Sequence, residues 1–375
     1  MRIIYFVNTA WYFELHWIDR VNKLVKIGHE IHLISNFSDE KIKKNLEQQG
    51  IKCWDLDIDR FSTNVFSNAK ILIGFYILLN KIKPDLIHTI TIKPNIIGGL
   101  ISRMKTIPQV ISVVGLGRVF LKDNIVKKLV KFLYKVILYK NRNIQLIFEH
   151  SSDKDTLAGI TAIDKSRLNV IDGAGIDTEK YAYAPEEESE STKVLFASRL
   201  LKSKGLELLV ESIRKLKKEG IKIELSVAGI VDDEDPDRIP LSQVKSWTDE
   251  GLIHWLGTRN DVDVLLKKCN IMVLPTKYAE GIPRIILEAC SIGRACVVGN
   301  MPGCQSIITN KVNGIVLKNH TIESLSDSLR FLVNNPIIRK DYGLKSSNLI
   351  KDKFSKEIVI SKTIQVYQNA LIKKT

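Results

Sequence analysis

Glu280 and Glu288 bracket the run Glu-Gly-Ile-Pro-Arg-Ile-Ile-Leu-Glu, with seven residues between them, about two helical turns. Proline suits the first turn of a helix, where its missing N–H costs nothing, so a helix should begin near Pro283. The free amides of Arg284 and Ile285 would then form an anion site fit for a diphosphate. One carboxylate could reach a sugar ring and the other the hydroxyls of a ribose. A second segment, Leu195-Phe-Ala-Ser-Arg-Leu-Leu-Lys-Ser-Lys-Gly205, leaves an apolar strand through a loop that holds Arg199 and Lys204. Two cations at a strand's carboxyl end suit the two phosphates of a nucleotide-sugar. Singly, these could be surface acids and their ion-pair partners; in this order on a strand–loop–helix frame they point to donor binding.

The frame comes from an alternation of strand and helix patterns. Apolar Ile3–Val7, Glu30–Ser35, Ile51–Leu56, Leu86–His88 and Gln109–Val113 read as strands, with helical spacing over Trp17–Lys26, Lys41–Gln49, Asn68–Lys81 and Asn95–Met104. After an acidic, polar stretch from Tyr183 to Thr192, suited to a linker, the alternation starts again: strands Lys193–Ala197, Lys222–Ala228, Ile253–Leu256, Ile271–Leu274 and Ala295–Val298, with helices Gly205–Glu219, Asp261–Lys268 and Arg284–Ser291. Strands interleaved with helices imply parallel sheets. The expected architecture is α/β with two Rossmann-like domains, 1–182 and 193–355, facing a central cleft; a last helix, about 356–375, crosses back to the first domain.

With 375 residues, 45% hydrophobic and 26% charged, the chain has a globular composition. Its longest apolar run, Ile71–Leu79, is nine residues, so no membrane-spanning helix is expected; the short apolar start lacks the pattern of a signal peptide, which suggests a cytoplasmic protein. The five cysteines form no C-x-x-C pair and read as reduced, mostly buried thiols, with no structural zinc. The net charge of +14 is concentrated: residues 101–150 hold ten Lys or Arg against two acids. Within them, Asn124–Lys140 reads as a basic amphipathic helix with Lys127, Lys128, Lys131 and Lys135 among apolar residues. It suits an anionic membrane surface or a lipid diphosphate. No zinc-finger spacing, RNP-type motif or basic tail accompanies it, so nucleic acid is not expected as a partner.

The Arg199-x4-Lys204 pair, the E-x7-E pair, and Ala279-Glu-Gly-Ile-Pro followed by Leu287-Glu-Ala289 resemble the family 4 retaining glycosyltransferases of the GT-B fold. The likeness extends to Gly173-Ala-Gly-Ile-Asp177 and Leu256-Gly-Thr-Arg259. It is nearest to bacterial enzymes that extend polyprenyl-diphosphate-linked sugars in O-antigen, capsule or glycan assembly, notably the N-acetylgalactosaminyltransferase type, whose Gly-Leu-Gly segment and basic helix are matched by Val114-Gly-Leu-Gly117 and the helix from Asn124. The resemblance implies that Arg199 and Lys204 bind the donor diphosphate, Glu288 the ribose and Glu280 the donor sugar. The backbone of Pro283, Arg284 and Ile285 would cradle phosphate, and Thr258 and Arg259 would lie near the base. Two departures stand out. Asn8-Thr-Ala-Trp-Tyr-Phe13 replaces the glycine pair usual after the first strand, and Val114 replaces a histidine, so that histidine contact is not carried over to His16 or His88.

The expected reaction is transfer of a hexose or N-acetylhexosamine from a UDP-sugar to a polyprenyl-diphosphate-linked glycan, with retention, no metal and no other cofactor, at the inner face of the plasma membrane. The leaving diphosphate would accept the acceptor's proton as attack occurs on the same face. Three alternatives remain open: a UDP-N-acetylglucosamine 2-epimerase, a non-catalytic basic membrane-binding protein, and a metal-dependent transferase using Asp55-x-Asp57-x-Asp59, which reads more simply as a solvated turn. Asp232-Asp-Glu-Asp235 likewise reads as a solvated loop.

Overall fold

The computed structural model describes residues 1–59, 62, 64–116, 120, 125–161, 163–232, 235–278 and 280–372. Gly117 of the Gly-Leu-Gly segment, Asn124, Asp233, Glu234, Ala279 and residues 373–375, where the last helix was expected to end, lie outside them. The chain divides into two compact units, Met1–Ala174 with Lys356–Thr375, and Gly175–Ser355.

The first unit runs β1 (Arg2–Thr9), α1 (Ala10–Lys26), β2 (Glu30–Asn36), α2 (Glu40–Gln48), β3 (Ile51–Asp55), α3 (Val65–Ile82), β4 (Leu86–Ile90), α4 (Ile92–Lys105), β5 (Gln109–Val113), α5 (Ile125–Leu138), β6 (Ile144–Phe148), α6 (Ser151–Ile160) and β7 (Leu168–Val170). All strands pair in parallel, in the order β3-β2-β1-β4-β5-β6-β7. Alternate residues of β1 serve opposite faces, as the two-residue period of a strand requires. Tyr5 and Val7 pack with Phe13, Trp17 and Val21 of α1, while Ile4 and Phe6 pack with Ile71 and Phe75 of α3 and Ile97 of α4. Along Asn8–Phe13, β1 continues to Thr9 and α1 starts directly at Ala10. Val114 follows β5 and packs partly buried against the α1 side of the sheet.

The second unit contains β8 (Thr192–Arg199), α7 (Leu206–Lys218), β9 (Ile223–Ile230), α8 (Leu241–Asp249), β10 (His254–Trp255), α9 (Val262–Lys268), β11 (Ile271–Leu274), α10 (Arg284–Ile292), β12 (Ala295–Val298), α11 (Pro302–Gln305), β13 (Ile315–Val316), α12 (Ile322–Asn334) and α13 (Pro336–Lys353). Its parallel sheet has the order β10-β9-β8-β11-β12-β13. The strand order reverses between β8 and β11, the place where ligands of doubly wound sheets bind.

Helix α14 (Lys356–Leu371) belongs to the first unit, where Val359, Val366 and Tyr367 join the core beneath β1. The Tyr367 hydroxyl lies 2.5 Å from that of Tyr5 and 2.6 Å from His88 Nδ1, and His88 Nε2 lies 2.7 Å from Ser112 Oγ. His88 is thus a fully buried structural residue, and burial followed by the nearby Arg20 charge holds its imidazole well below the ordinary range.

Three expectations need correction. The first domain ends at Ala174, not 182, because Ile176 donates to the Phe354 carbonyl, the Tyr181 carbonyl accepts from Ser291, and both apolar side chains enter the second core. The acidic stretch after Tyr183 is not merely a solvated linker: Glu186 is buried against Arg339. One helix, α3, is long and apolar enough, by length and composition, to cross a membrane. Its apolar character is spread over 18 residues with only Lys70 and Lys81 charged, which a search for an unbroken apolar run misses. In the fold, Ile71, Phe75, Leu79 and Ile82 of α3 are buried in the face of the first sheet.

Candidate active site

Arg199 is the last residue of β8, in register with Ile230 of β9, and therefore stands at the sheet's carboxyl edge beside the reversal of strand order. The chain then makes one 3-10 turn, Lys202–Lys204, stopped by Gly205 at φ +85°. A side chain there would be strained by the backbone angle and would also strike the Pro275 carbonyl after β11, so only glycine lets the two loops touch. They are stitched together: Lys277 N donates to Ser203 O (2.8 Å), and Thr276 Oγ1 donates to the same carbonyl (3.3 Å). This approach delivers the Lys204 ammonium to the Glu280 carboxylate in an ion pair, with Lys204 only 4% exposed. Tyr278 lies beneath both cations, its ring 5.1 Å from Lys204 Nζ and 5.6 Å from the Arg199 guanidinium carbon.

Arg199 also faces Asp232 (3.4 Å) and Asp235 (3.7 Å), and Asp235 is buried. The segment expected to be a solvated loop is therefore in part the electrostatic partner of Arg199; a run of acids gives no hint of which one folds inward. Burial alone would lower the Arg199 guanidinium, but Tyr278, Glu280 and Asp232 outweigh it and hold it above its ordinary range.

Helix α10 begins at Arg284, beside the proline that marked its start. Pro283 is the N-cap, in extended conformation, and its carbonyl accepts from Ile286 and Leu287. Among the described residues, the N-cap Pro283 makes no side-chain cap hydrogen bond and the first turn holds no acid. Glu288 is mostly buried and pairs with Arg284 Nε at 2.8 Å, so the Arg284 side chain supports an acid one turn on. Burial, followed by Glu288, raises the nearby Tyr181 phenol. Ile285 is partly buried against the second core. Thr258 lies on the neighbouring edge, its hydroxyl donating to Gly229 O at 3.0 Å, while Arg259 is engaged with Asp261 on the exposed surface (Nε–Oδ1 2.8 Å). Lys204 and Glu280 thus meet directly, Arg199 shares Tyr278 with Lys204, and Arg259 is turned to an acid of its own loop.

Sequence reasoning missed Gly303. Its α-carbon abuts the Gly281 carbonyl, and an added methyl group would overlap that oxygen and crowd the Glu280 carbonyl at 3.1 Å. Gly303→Ala should push the loop bearing Glu280 out of place, costing about 1–3 kcal/mol of stability as an overpacked site does, and should weaken transfer with a raised donor KM. Steady-state kinetics with a melting curve check this; a wild-type KM would remove the positioning role.

The four buried cysteines, Cys269, Cys290, Cys296 and Cys304, and the partly buried Cys53 are all free thiols.

Two parallel Rossmann-like sheets, with cations and a helix start at the strand-order reversal of the second, define a doubly wound two-domain class of protein. Residues 2–150 match the family model described as glycosyl transferase 4-like, and residues 177–348 match glycosyl transferases group 1. The N,N'-diacetylbacillosaminyl-diphospho-undecaprenol alpha-1,3-N-acetylgalactosaminyltransferase of Campylobacter jejuni is 28% identical over 351 residues, 88% of this chain and 89% of its own. The UDP-Gal:alpha-D-GlcNAc-diphosphoundecaprenol alpha-1,3-galactosyltransferase of Escherichia coli is 28% identical over 288 residues, 73% of each chain. Among solved structures, Anabaena Alr3699/HepE in complex with UDP superposes with a TM-score of 0.76 at 16% identity, covering 98% of this chain and 100% of its own. The fold is GT-B, and the chain belongs to the family 4 type of group 1 glycosyltransferases.

Proposed function

We propose that this glycosyltransferase moves a hexose or N-acetylhexosamine from a UDP-sugar to a polyprenyl-diphosphate-linked glycan during surface-polysaccharide synthesis, with retention at the anomeric carbon. The observation that carries the reading is the ion pair of the buried Lys204 with the partly exposed Glu280 at the strand-order reversal, beside Arg199 and in the loop that leads to the start of α10. When the donor bond breaks, negative charge grows on the leaving diphosphate. Lys204, Arg199 and the amides of Arg284 and Ile285 stabilise it there, while Glu280 accepts hydrogen bonds from the sugar's hydroxyls and Glu288 from those of the ribose. The leaving phosphate takes the acceptor's proton. Thr258 and Arg259 border the base.

The names of the two relatives support the acceptor class, since both include an undecaprenyl-diphosphate carrier. They differ at the transferred sugar, N-acetylgalactosamine against galactose, so both classes belong in the assay. In the same reading the enzyme works at the cytoplasmic face of the membrane, with Lys127, Lys128, Lys131 and Lys135 of α5 turned to anionic headgroups.

The test is incubation of the full chain with UDP-sugars, with and without an undecaprenyl-diphosphate-linked sugar, followed by NMR of the product linkage. An α-linked product formed only with acceptor is expected. A β-linked product would overturn retention, and epimerised donor without acceptor would overturn the transfer reading. Two protein cations and helix amides offset the charge on the leaving group, so transfer should persist in excess EDTA. Loss restored by Mg²⁺ or Mn²⁺ would overturn metal independence.

A further inference from the structure

Lys204 stands on a single 3-10 turn, Lys202–Lys204, an element too short to hold its own shape. Two hydrogen bonds close it, Lys204 N to Leu201 O and Gly205 N to Lys202 O, both 3.0 Å. The residue at its start, Leu201, has no side-chain oxygen to take up the first amides. Residues 235–239, after β9, do so instead. Lys202 N donates to the Asp237 carbonyl at 2.8 Å, Ser203 N donates to the Asp237 carboxylate at 3.1 Å, and the Ser203 hydroxyl donates to the same carboxylate oxygen. A carboxylate accepting from the amides of a turn makes charge-assisted hydrogen bonds, the stronger kind. The loop after β11 engages the Ser203 carbonyl, so every polar group of Ser203 is committed and the base of the next residue, Lys204, is fixed from both sides.

Asp237 is itself held. Its N–H donates to Asp235 Oδ1 at 2.9 Å, while Asp235 Oδ2 lies 3.7 Å from Arg199 Nη1. One carboxylate, 2% exposed, therefore faces the first cation with one oxygen and secures the support of the second with the other. Backbone bonds lay the same segment along the chain between the two cations: Ile239 N donates to Leu200 O at 2.8 Å, and Leu201 bridges Arg238 in antiparallel fashion. Arg199, Asp235, Asp237, Ser203 and Lys204 thus form an unbroken run of contacts, linking two side chains whose like charges repel.

We propose that Asp237 is a positioning residue of the donor site. Through Ser203 it holds the turn that carries Lys204 at the reach a diphosphate requires, and Asp235 couples that turn to Arg199. The inference rests on the reading of a UDP-sugar donor and adds to it a residue that acts through Lys204.

NMR titration of the full chain with UDP and with uridine tests it. Asp237→Ala should weaken UDP binding by about tenfold or more, the scale of a lost charge-assisted hydrogen bond. Uridine binding should stay unchanged, since uridine carries no phosphate for the cations to meet. Asp237→Asn, which keeps an oxygen to accept from Ser203 N, should recover most of the UDP affinity. In a Lys204→Ala background, Asp237→Ala should cause little further loss. Ser203→Ala, which removes one donor and leaves the carboxylate in place, carries the test if Asp237→Ala does not fold, and should show a smaller loss confined to UDP. A folded Asp237→Ala protein that binds UDP as the wild type does would overturn the proposal. So would equal losses for UDP and uridine, which would mark a merely structural residue, or an undiminished loss once Lys204 is gone. A wild type that binds no UDP would instead overturn the donor reading, and this role for Asp237 with it.

Discussion

Lys204→Ala is expected to lower turnover by about 10²–10³-fold, the usual cost of deleting one donor that stabilises a developing oxyanion in a water-poor site. The side chain is nearly inaccessible, its ammonium paired with Glu280 and set over the Tyr278 ring, so solvent cannot supply a substitute. The short turn ending at Gly205 fixes its base against Pro275 and leaves little slack for another residue to reach the same point. Lys204→Arg should rescue poorly, since a planar guanidinium does not fit the space of a compact ammonium held between Glu280 and the Tyr278 ring. Glu280→Gln should also impair transfer, and the double variant should lose less than the two single losses multiplied, because the groups act as a unit. Initial rates of UDP release, read beside melting midpoints, decide the matter. Near-normal turnover in a folded Lys204→Ala protein would remove this lysine from the reaction.

The second large effect concerns stability. Arg339 of α13 meets Glu186 in a two-pronged ion pair, with Nε 3.0 Å and Nη2 2.9 Å from the same carboxylate oxygen, and its other arm donates to Leu332 O at 2.8 Å. The side chains are 9% and 2% exposed, and Asn270 adds a donor to the carboxylate at 3.3 Å. Arg339→Met should destabilise the second unit by about 3–5 kcal/mol, because a buried carboxylate loses its counter-charge. Removing both partners, as Glu186→Leu/Arg339→Met, should recover much of that loss, since no charge is then stranded. Urea unfolding of the two variants beside the wild type checks the pattern. A single-variant loss below about 1 kcal/mol would match an exposed pair and contradict the burial argument.

The amino-acid order alone determined the alternation of elements and the placement of the chemistry at strand ends. Short β-branched runs and helical spacing are local signals, so β12 at Ala295–Val298 and the start of α10 near Pro283 could be read directly. The same holds for Arg199, Lys204, Glu280 and Glu288, whose positions relative to strand and helix follow from spacing. Tertiary structure decided which groups meet. Asp235 turns inward to Arg199, Glu186 leaves an apparent linker for Arg339, and Gly303 makes room for a carbonyl about twenty residues earlier. Each depends on contacts between distant segments, and the exposed apolar side of α3 became visible only once the sheet had claimed its other side. Local propensity acts within a few residues, whereas burial and pairing arise from the packed whole, where desolvation rewards the one arrangement that leaves no charge without a partner.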